Sequence, residues 1–213
     1  MKRIARFVVL ICFVGVVSGF AQGPKPIQLL APEIGIGKPL MKALQLRQSS
    51  RTFDTKALSL QDLSNLLWAA DGINRPESGK RTAPSAMNWQ EIDIYVALPE
   101  ATYLYDAKAN VLNPVVDKDL RELTGKQPFV KDAPLNLVYV ADGKRMRNAN
   151  EEDQKLYSAI GAGSMVQNVY LYCASQGLAS VVRGMVDRPA LAKALSLRPE
   201  QRIILAQTVG YPK

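Results

Sequence analysis

The chain contains no histidine among its 213 residues. Imidazole is the usual base for serine and cysteine nucleophiles and the commonest metal ligand in proteins. Its absence argues against a catalytic triad and a zinc site, and we predict no metal site. Paired carboxylates could still serve hydrolysis, but no pair of acids stands in an evident apolar context. Any chemistry is therefore expected to come from a bound cofactor.

Cysteine is nearly as scarce, since the chain has only Cys12 and Cys173. Cys12 lies in the apolar run near the start, so a chain that loses this segment would form no intramolecular disulfide. Cys173 stands in an apolar, helix-like stretch, where a buried structural thiol is expected rather than a nucleophile. Stability must then come from the core alone.

The fingerprints GxGxxG and GxxxxGK[ST] of nucleotide-binding proteins are also missing. The formal net charge is +8, but the basic residues are scattered and often stand beside acids, as in residues 117–122. A nucleic-acid binder would gather Lys and Arg on one face, with aromatic residues between them. We therefore predict no nucleic-acid partner.

The first residues have the pattern of an export signal. A basic start over residues 1–6 precedes an apolar run over 7–17, and small Ala21 fits cleavage before Gln22. A membrane anchor is the alternative, but a spanning helix needs about 20 apolar residues. We expect residues 1–21 to be a removed signal peptide and the protein to be exported, periplasmic or secreted, without stable membrane insertion.

Hydrophobic periodicity predicts a mixed α+β fold in one domain over residues 40–213, after a Pro- and Gly-rich leader or linker over 22–39. Residues 59–62 resemble a capping box that opens a helix ending before Gly72. Further helices are predicted over residues 40–46, 152–176 and 188–195. Strands are predicted over residues 92–98, 102–105, 111–116, 135–141, 178–182 and 203–209. Because the strands cluster mid-chain, a doubly wound fold is not expected.

Between these elements, residues 74–80 are predicted to form a loop, and Pro84 to start a short helix.

Three polar or glycine-containing segments could carry chemistry. Residues 47–51 read Arg-Gln-Ser-Ser-Arg, which suits forked hydrogen bonds to a phosphate, although a polar helix end has the same composition. Residues 82–88 join small side chains to the amide of Asn88, which could pair with a heterocycle; an ordinary loop is the alternative. Residues 177–180 form a glycine turn whose exposed N–H groups could meet an acceptor such as flavin N5, or simply link a helix to a strand.

The order of these segments along the chain resembles the FMN-dependent nitroreductases over about residues 40–212. Residues 47–53 are similar to the family's Arg-x-Ser-x-Arg/Lys-x-Phe motif, and residues 209–212 to its closing strand. Residues 66–76 and 81–86 form the most specific stretch. They are similar to the branch that contains the thiazole-forming oxidases of peptide natural products.

The resemblance implies a nitroreductase-like α+β fold with a central mixed, mostly antiparallel sheet flanked by helices. It implies FMN at the interface of a homodimer and ping-pong hydride exchange with small-molecule redox substrates through flavin N5, with no catalytic side chain. The residues assigned to the cofactor are Arg47, Gln48, Ser49, Arg51, Pro84, Ser85, Ala86, Asn88, Gln167, Gly177, Leu178 and Ala179.

The resemblance also implies which part of the cofactor each segment contacts. Residues 47–51 would lie near the FMN phosphate and ring, residues 84–88 would line the ring of the second subunit's FMN, and the backbone of 177–180 would face N5. Arg183 is a candidate for contact with an anionic substrate. A surface or interface salt bridge is the ordinary alternative for such an arginine.

Two departures from the family pattern bear on this hypothesis. Many relatives carry a phosphate-binding Arg or Lys downstream of Gly-Tyr-Pro, whereas this sequence ends at Lys213. Residues 87–90 differ from the thiazole-forming branch, so azoline oxidation is not expected. Two alternatives stay open, a non-catalytic flavin carrier outside the cytoplasm and a flavin-free structural relative.

Overall fold

The computed structural model describes residues 23–213, so the predicted signal peptide lies outside the described residues. The helices are α1 (Leu40–Leu46), α2 (Leu60–Asp71), α3 (Glu151–Gln176) and α4 (Arg188–Ala194). The strands are β1 (Ile27–Gln28), β2 (Ile73–Arg75), β3 (Lys80–Arg81), β4 (Ile92–Ala97), β5 (Thr102–Asp106), β6 (Val111–Val116), β7 (Leu135–Asp142), β8 (Ala179–Arg183) and β9 (Gln201–Gly210). The four predicted helices and six predicted strands are confirmed, each with ends close to those expected.

Seven strands form one sheet in the order β1-β6-β5-β4-β7-β9-β8, and each neighbouring pair is antiparallel. Strands β2 and β3 pair separately as an antiparallel hairpin. The predicted α+β class is therefore confirmed. None of the helices within residues 23–213 combines the length and apolar character needed to cross a membrane.

The core lies on both faces of β7, which is buried along its whole length. Leu137 and Tyr139 belong to the cluster that α2 and α3 cover. Val138 and Val140 belong to a second cluster on the opposite face, completed by Leu191 of α4. Because successive side chains of a strand point to opposite faces, β7 holds the two layers together.

Two predicted helix signals and the predicted fate of the cysteine are confirmed. The Ser59 hydroxyl accepts the N–H of Asp62 and caps α2. Gly177 ends α3 in the left-handed region, with φ of 75°. Cys173 is a free thiol that is only 1% exposed, and burial raises its pKa far above the ordinary value. It is a packing residue, as expected.

The predicted leader is not a free linker, because it is joined to the domain by specific contacts at several points along residues 27–38. Strand β1 pairs with β6, and Leu29 is 3% exposed within the main core. The N–H of Leu30 donates to the Ser64 hydroxyl at 2.9 Å, and that of Lys38 to the Ser175 hydroxyl at 2.7 Å. These side-chain contacts depend on the tertiary fold, and a strand of two residues has no periodicity to indicate it.

The segment between α2 and β4 also differs from expectation. Within residues 74–80, predicted as a loop, residues 76–79 do form a turn, but residues 74, 75 and 80 belong to the paired strands β2 and β3. Pro84 does not start a helix, since the 3-10 turn in this segment spans Ala86–Asn88. The Ser85 hydroxyl accepts the N–H of Gln90 at 2.8 Å and closes this segment as a compact loop instead.

Candidate cofactor site

Residues 47–51 follow the end of α1 and are held against α3 and β8. The N–H of Ser50 donates to the carbonyl of Ser180 at 2.9 Å. The hydroxyls of Ser49 and Tyr170 are 2.9 Å apart, and the Tyr170 hydroxyl also accepts the N–H of Val182 at 2.8 Å. Two of the three predicted segments are therefore brought together in one chain.

Tyr170 also fixes the first arginine of the motif. The guanidinium of Arg47 lies over its ring, 5.3 Å from the centroid, in a cation–π arrangement. Arg51 is exposed. Beyond it, the N–H of Asp54 donates to the carbonyl of Tyr211 at 2.9 Å, which joins the motif to the closing strand. Tyr170 carried no predicted role, because within the sequence it is one apolar-face residue of a long helix.

A cleft of about 240 Å³ lies at this junction. Its walls include Lys38, Gln48, Ser50, Gly177, Leu178 and Ala179. A Cβ atom added at Gly177 would meet no atom within 4 Å, so the backbone there borders open space that a flat ring could approach. Among the described lining residues, Gln48 carries an amide, Ser50 a hydroxyl and Lys38 an ammonium group, groups of the kind that bond the phosphate and polar edges of FMN.

The two N–H groups at the glycine turn are not free, contrary to the prediction. Both Gly177 and Leu178 donate to the carbonyl of Cys173, the latter at 2.8 Å. The last carbonyls of a helix have no partner within the helix, and a left-handed cap returns the following N–H groups to them. The turn therefore contributes backbone surface to the cleft. Its two N–H groups are bonded to the last turn of α3 and do not point to a ligand.

The third predicted segment lies in a different cleft of about 320 Å³. Pro84, Ser85 and Asn88 line it together with Arg75, Lys80, Arg81, Ala83 and Gln90. Ala86 begins the adjacent 3-10 turn. The two clefts share no lining residue, so within one chain residues 84–88 and residues 47–51 do not border the same cleft. Their placement on the flavin of a second subunit stays a prediction.

The Ser85 hydroxyl is fully engaged by the protein. It donates to Glu91 Oε2 at 2.8 Å and accepts the N–H of Gln90. Glu91 is 1% exposed, and a Cβ atom added at Gly161 would lie 2.8 Å from its Oε1. Gly161 therefore leaves the space that this carboxylate occupies. Sequence reasoning missed Glu91. The signal that could have found a close neighbour is Gly161 itself, because a glycine inside a helix lowers helix propensity and usually has a packing reason.

The loop that carries residues 84–88 is conformationally strained. Met87, Asn88 and Gln90 have φ of 51°, 55° and 48°, a left-handed region that non-glycine residues rarely adopt. The Gln90 amide nitrogen holds the loop by donating to the carbonyl of Gly79 and to Asn88 Oδ1, each at 3.1 Å. Such strain of about 1–3 kcal/mol per residue tends to gather at functional sites.

An ion pair connects this loop to α2. Arg81 donates to Asp71 Oδ2 at 3.1 Å and to Gln90 Oε1 at 3.0 Å. Burial raises the pKa of Asp71 to about 7, and the charge of Arg81 opposes this only in part, while Asp93 and Glu91 add to the rise. The carboxyl of Asp71 is therefore half protonated near neutral pH.

Two further predicted residues lie outside both clefts. Gln167 is exposed on α3, on the same helix stripe as Leu156 and Ile160. The predicted substrate contact of Arg183 is corrected, because this residue is 4% exposed and donates to the Thr124 carbonyl and, at 2.9 Å, to Asn136 Oδ1. Burial lowers its pKa to about 10. Its guanidinium ties β8 to β7 and is inaccessible to a substrate.

Residues 44–211 match the Nitroreductase family, and the chain belongs to this family. It is thus a nitroreductase-family oxidoreductase. A crystal structure described as a nitroreductase from Ralstonia eutropha JMP134 is 46% identical and superposes with a TM-score of 0.85, covering 89% of this chain and 90% of that one.

Two more comparisons agree with this assignment, the second for the fold alone. A protein of Methanocaldococcus jannaschii named as a nitroreductase is 31% identical over 148 residues, which are 65% of this chain and 74% of that protein. The NADPH:FMN oxidoreductase of Vibrio harveyi, in complex with NAD⁺, shares the fold with a TM-score of 0.62 at 20% identity, covering 82% of this chain and 69% of that one.

Proposed function

We propose that the protein is an FMN-dependent oxidoreductase that acts outside the cytoplasm on two small-molecule redox partners in turn. The observation that carries the proposal is the junction of residues 47–51 with residues 177–180 around one cleft. When bound, FMN supplies hydride transfer through N5 between a reductant and an acceptor, in a ping-pong cycle. Export rests on the signal pattern of residues 1–21.

The chain's own residues would bind and orient the cofactor rather than exchange protons. Gln48 and Ser50 offer an amide and a hydroxyl to the cleft, and Arg47 adds a fixed charge beside it. Tyr170 holds both Arg47 and Ser49, so it would preserve the arrangement of the motif before the cofactor binds. Such preorganisation is a main contribution of a protein to cofactor chemistry.

We also propose a homodimer with the cofactor between its subunits. Leu156 and Ile160 are 53% and 52% exposed on one stripe of α3, and Met41 of α1 is 75% exposed. Gln167 continues the stripe of α3. A second copy on this face would cover the apolar side chains and could bring its residues 84–88 to the first cleft.

Within the family, we propose kinship with the branch of the thiazole-forming oxidases, on the strength of residues 66–76 and 81–86. Residues 87–90 depart from that branch, and we propose no azoline oxidation. The substrates are expected to be small redox-active compounds such as quinones or nitroaromatics.

The decisive experiment is an absorption spectrum of the chain purified from Gln22 onward, with and without added FMN. We expect the bands of protein-bound oxidised flavin, bleaching by NADPH or dithionite, and reoxidation by a quinone or nitroaromatic acceptor. A chain that stays colourless with excess FMN would overturn the proposal. Flavin binding with no turnover by any of these donors and acceptors would favour the flavin carrier.

A further inference from the structure

Glu91 is a buried carboxylate at the base of the loop that carries residues 84–88. The residue is 1% exposed, and none of the salt bridges within residues 23–213 includes it. Its side chain accepts a hydrogen bond from the Ser85 hydroxyl, at 2.8 Å to Oε2. Burying a carboxylate without a cation is costly, and an apolar side chain of the same length would fill this space at a lower cost. The contact with Ser85 is therefore the feature that an apolar residue could not supply.

The position of the Glu91 carboxylate is set by the core and not by the loop. The residue directly precedes β4, and its carbonyl accepts the N–H of Asp142, the last residue of β7, at 2.8 Å. At the far end of the side chain, a Cβ atom added at Gly161 of α3 would lie 2.8 Å from Oε1. Two strands and a helix of the core thus define where Oε2 meets the loop.

The Ser85 hydroxyl transmits this position to the strained part of the loop. While it donates to Glu91, it accepts the N–H of Gln90 at 2.8 Å, so it closes the loop across residues 86–89. Three residues of the loop have positive φ, and such strained residues persist only where the surrounding structure holds them. A hydroxyl can rotate about its C–O bond, and the acceptor at Oε2 fixes the direction in which it receives the N–H of Gln90.

We propose that Glu91 is a positioning residue for the cofactor, which holds residues 84–88 in the shape that meets the flavin ring. The inference rests on the proposed function. Glu91 acts through Ser85 and does not touch the flavin itself, because its carboxylate is buried against α3. A contact that served packing alone would support the stability of the chain but would leave the surroundings of a bound flavin unchanged.

The test measures FMN affinity by fluorescence quenching, and the surroundings of the ring by the visible circular dichroism of the flavin at saturating FMN. Glu91→Met keeps the length of the side chain but removes the acceptor. We expect its FMN affinity to fall about tenfold, the scale for a lost hydrogen bond to a charged group, and its flavin bands to change. Glu91→Gln keeps an acceptor oxygen for Ser85 and should retain most of the affinity and the wild-type bands.

Removal of the other partner separates an action through Ser85 from a direct contact of its hydroxyl with the flavin. Ser85→Ala should reproduce both changes expected of Glu91→Met, and it carries the test if the buried substitution fails to fold. In the double variant the loss should be no larger than in either single variant, because both substitutions remove the same hydrogen bond. The matched control is Glu200→Met, which removes an exposed glutamate paired with Lys144 and should leave affinity and bands unchanged.

The outcomes separate the inference from the function on which it rests. Wild-type affinity and bands in Ser85→Ala, additive losses in the double variant, or equal losses in Glu91→Gln and Glu91→Met would overturn the positioning role while leaving the flavin proposal standing. A lower urea midpoint in Glu91→Met with unchanged affinity and bands would also overturn it, because the contact would then serve packing alone. A wild-type chain that binds no FMN would overturn both.

Discussion

At the scale of single residues, Gly161 and Glu91 form the contact that supports the strained loop. Gly161→Ala should gain about 1 kcal/mol of helix propensity but place a methyl group against Glu91 Oε1, at an overpacking cost of about 1–3 kcal/mol. Gly163→Ala on the same helix meets nothing within 4 Å of the added Cβ. We expect Gly161→Ala to unfold at a lower urea concentration than Gly163→Ala. Equal midpoints would contradict the proposed contact.

A second prediction at this scale concerns the effect of Asp71 on the pH dependence of stability. Burial raises its pKa to about 7 in the folded chain, whereas an unfolded aspartate titrates near about 3.9. Between these values the folded state holds a proton that the unfolded state has lost. The free energy of unfolding should therefore fall as pH rises from about 4 to 7, by on the order of 3 kcal/mol from this group.

Urea unfolding at pH 5 and pH 8 measures this effect. Asp71→Asn should lose less stability than the wild type between the two pH values. Asp132→Asn, which removes an exposed carboxylate, should follow the wild type and controls for net charge. An unchanged pH response in Asp71→Asn would show that another group is responsible.

Part of the site could be predicted from the sequence and part could not, and individual residues show why. Gly177 is a local helix-end signal and lines the first cleft. Of residues 47–51, Gln48 and Ser50 line it, whereas the motif residues Arg47, Ser49 and Arg51 do not. Glu91 and Lys38 carry no motif, since their roles come from contacts with residues far along the chain. Arg183 was misassigned because an arginine's burial depends on tertiary partners, here Asn136 among them.

At the scale of elements, the segment before α1 is a structural part of the domain. Leu29 is 3% exposed in the main core, and its neighbour Leu30 is 43% exposed. Leu29→Ala should cost about 2–3 kcal/mol of unfolding free energy, as expected for a buried leucine, and Leu30→Ala about 0.5 kcal/mol or less. Denaturant unfolding of the two variants measures the difference. Equal, small losses would mean that this segment is a dispensable leader after all.

The elements themselves were predictable where they are long and periodic. The capping box at Ser59 and the αL glycine at 177 are local signals, and α2 and α3 end where these signals indicate. Strand β1 and the β2–β3 hairpin have two or three residues per strand. They are stabilised by pairing and by side-chain contacts, so local periodicity could not indicate them.

At the scale of the whole molecule, the separation of the two clefts is the main architectural fact. Residues 84–88 are held by the β2–β3 side of the domain, while residues 47–51 lie at the junction of α3 with β8. The resemblance to the family predicts that residues 84–88 reach the FMN of a second subunit, and within one chain they border a separate cleft. No described residue lines both clefts, which is consistent with the proposed second copy of the chain completing the site.

This architecture makes the oligomeric state testable through the exposed stripe of α3. Ile160→Asp places a charge at a side chain that is 52% exposed in the single chain and would be buried in the proposed dimer. We expect sedimentation velocity to show a wild-type dimer and an Ile160→Asp monomer, with FMN affinity lost together with the dimer. Val115→Asp on β6, where the side chain is 42% exposed, is the matched control and should stay dimeric. If Ile160→Asp stays a dimer with bound FMN, the interface lies elsewhere, because an uncompensated buried carboxylate would cost several kcal/mol.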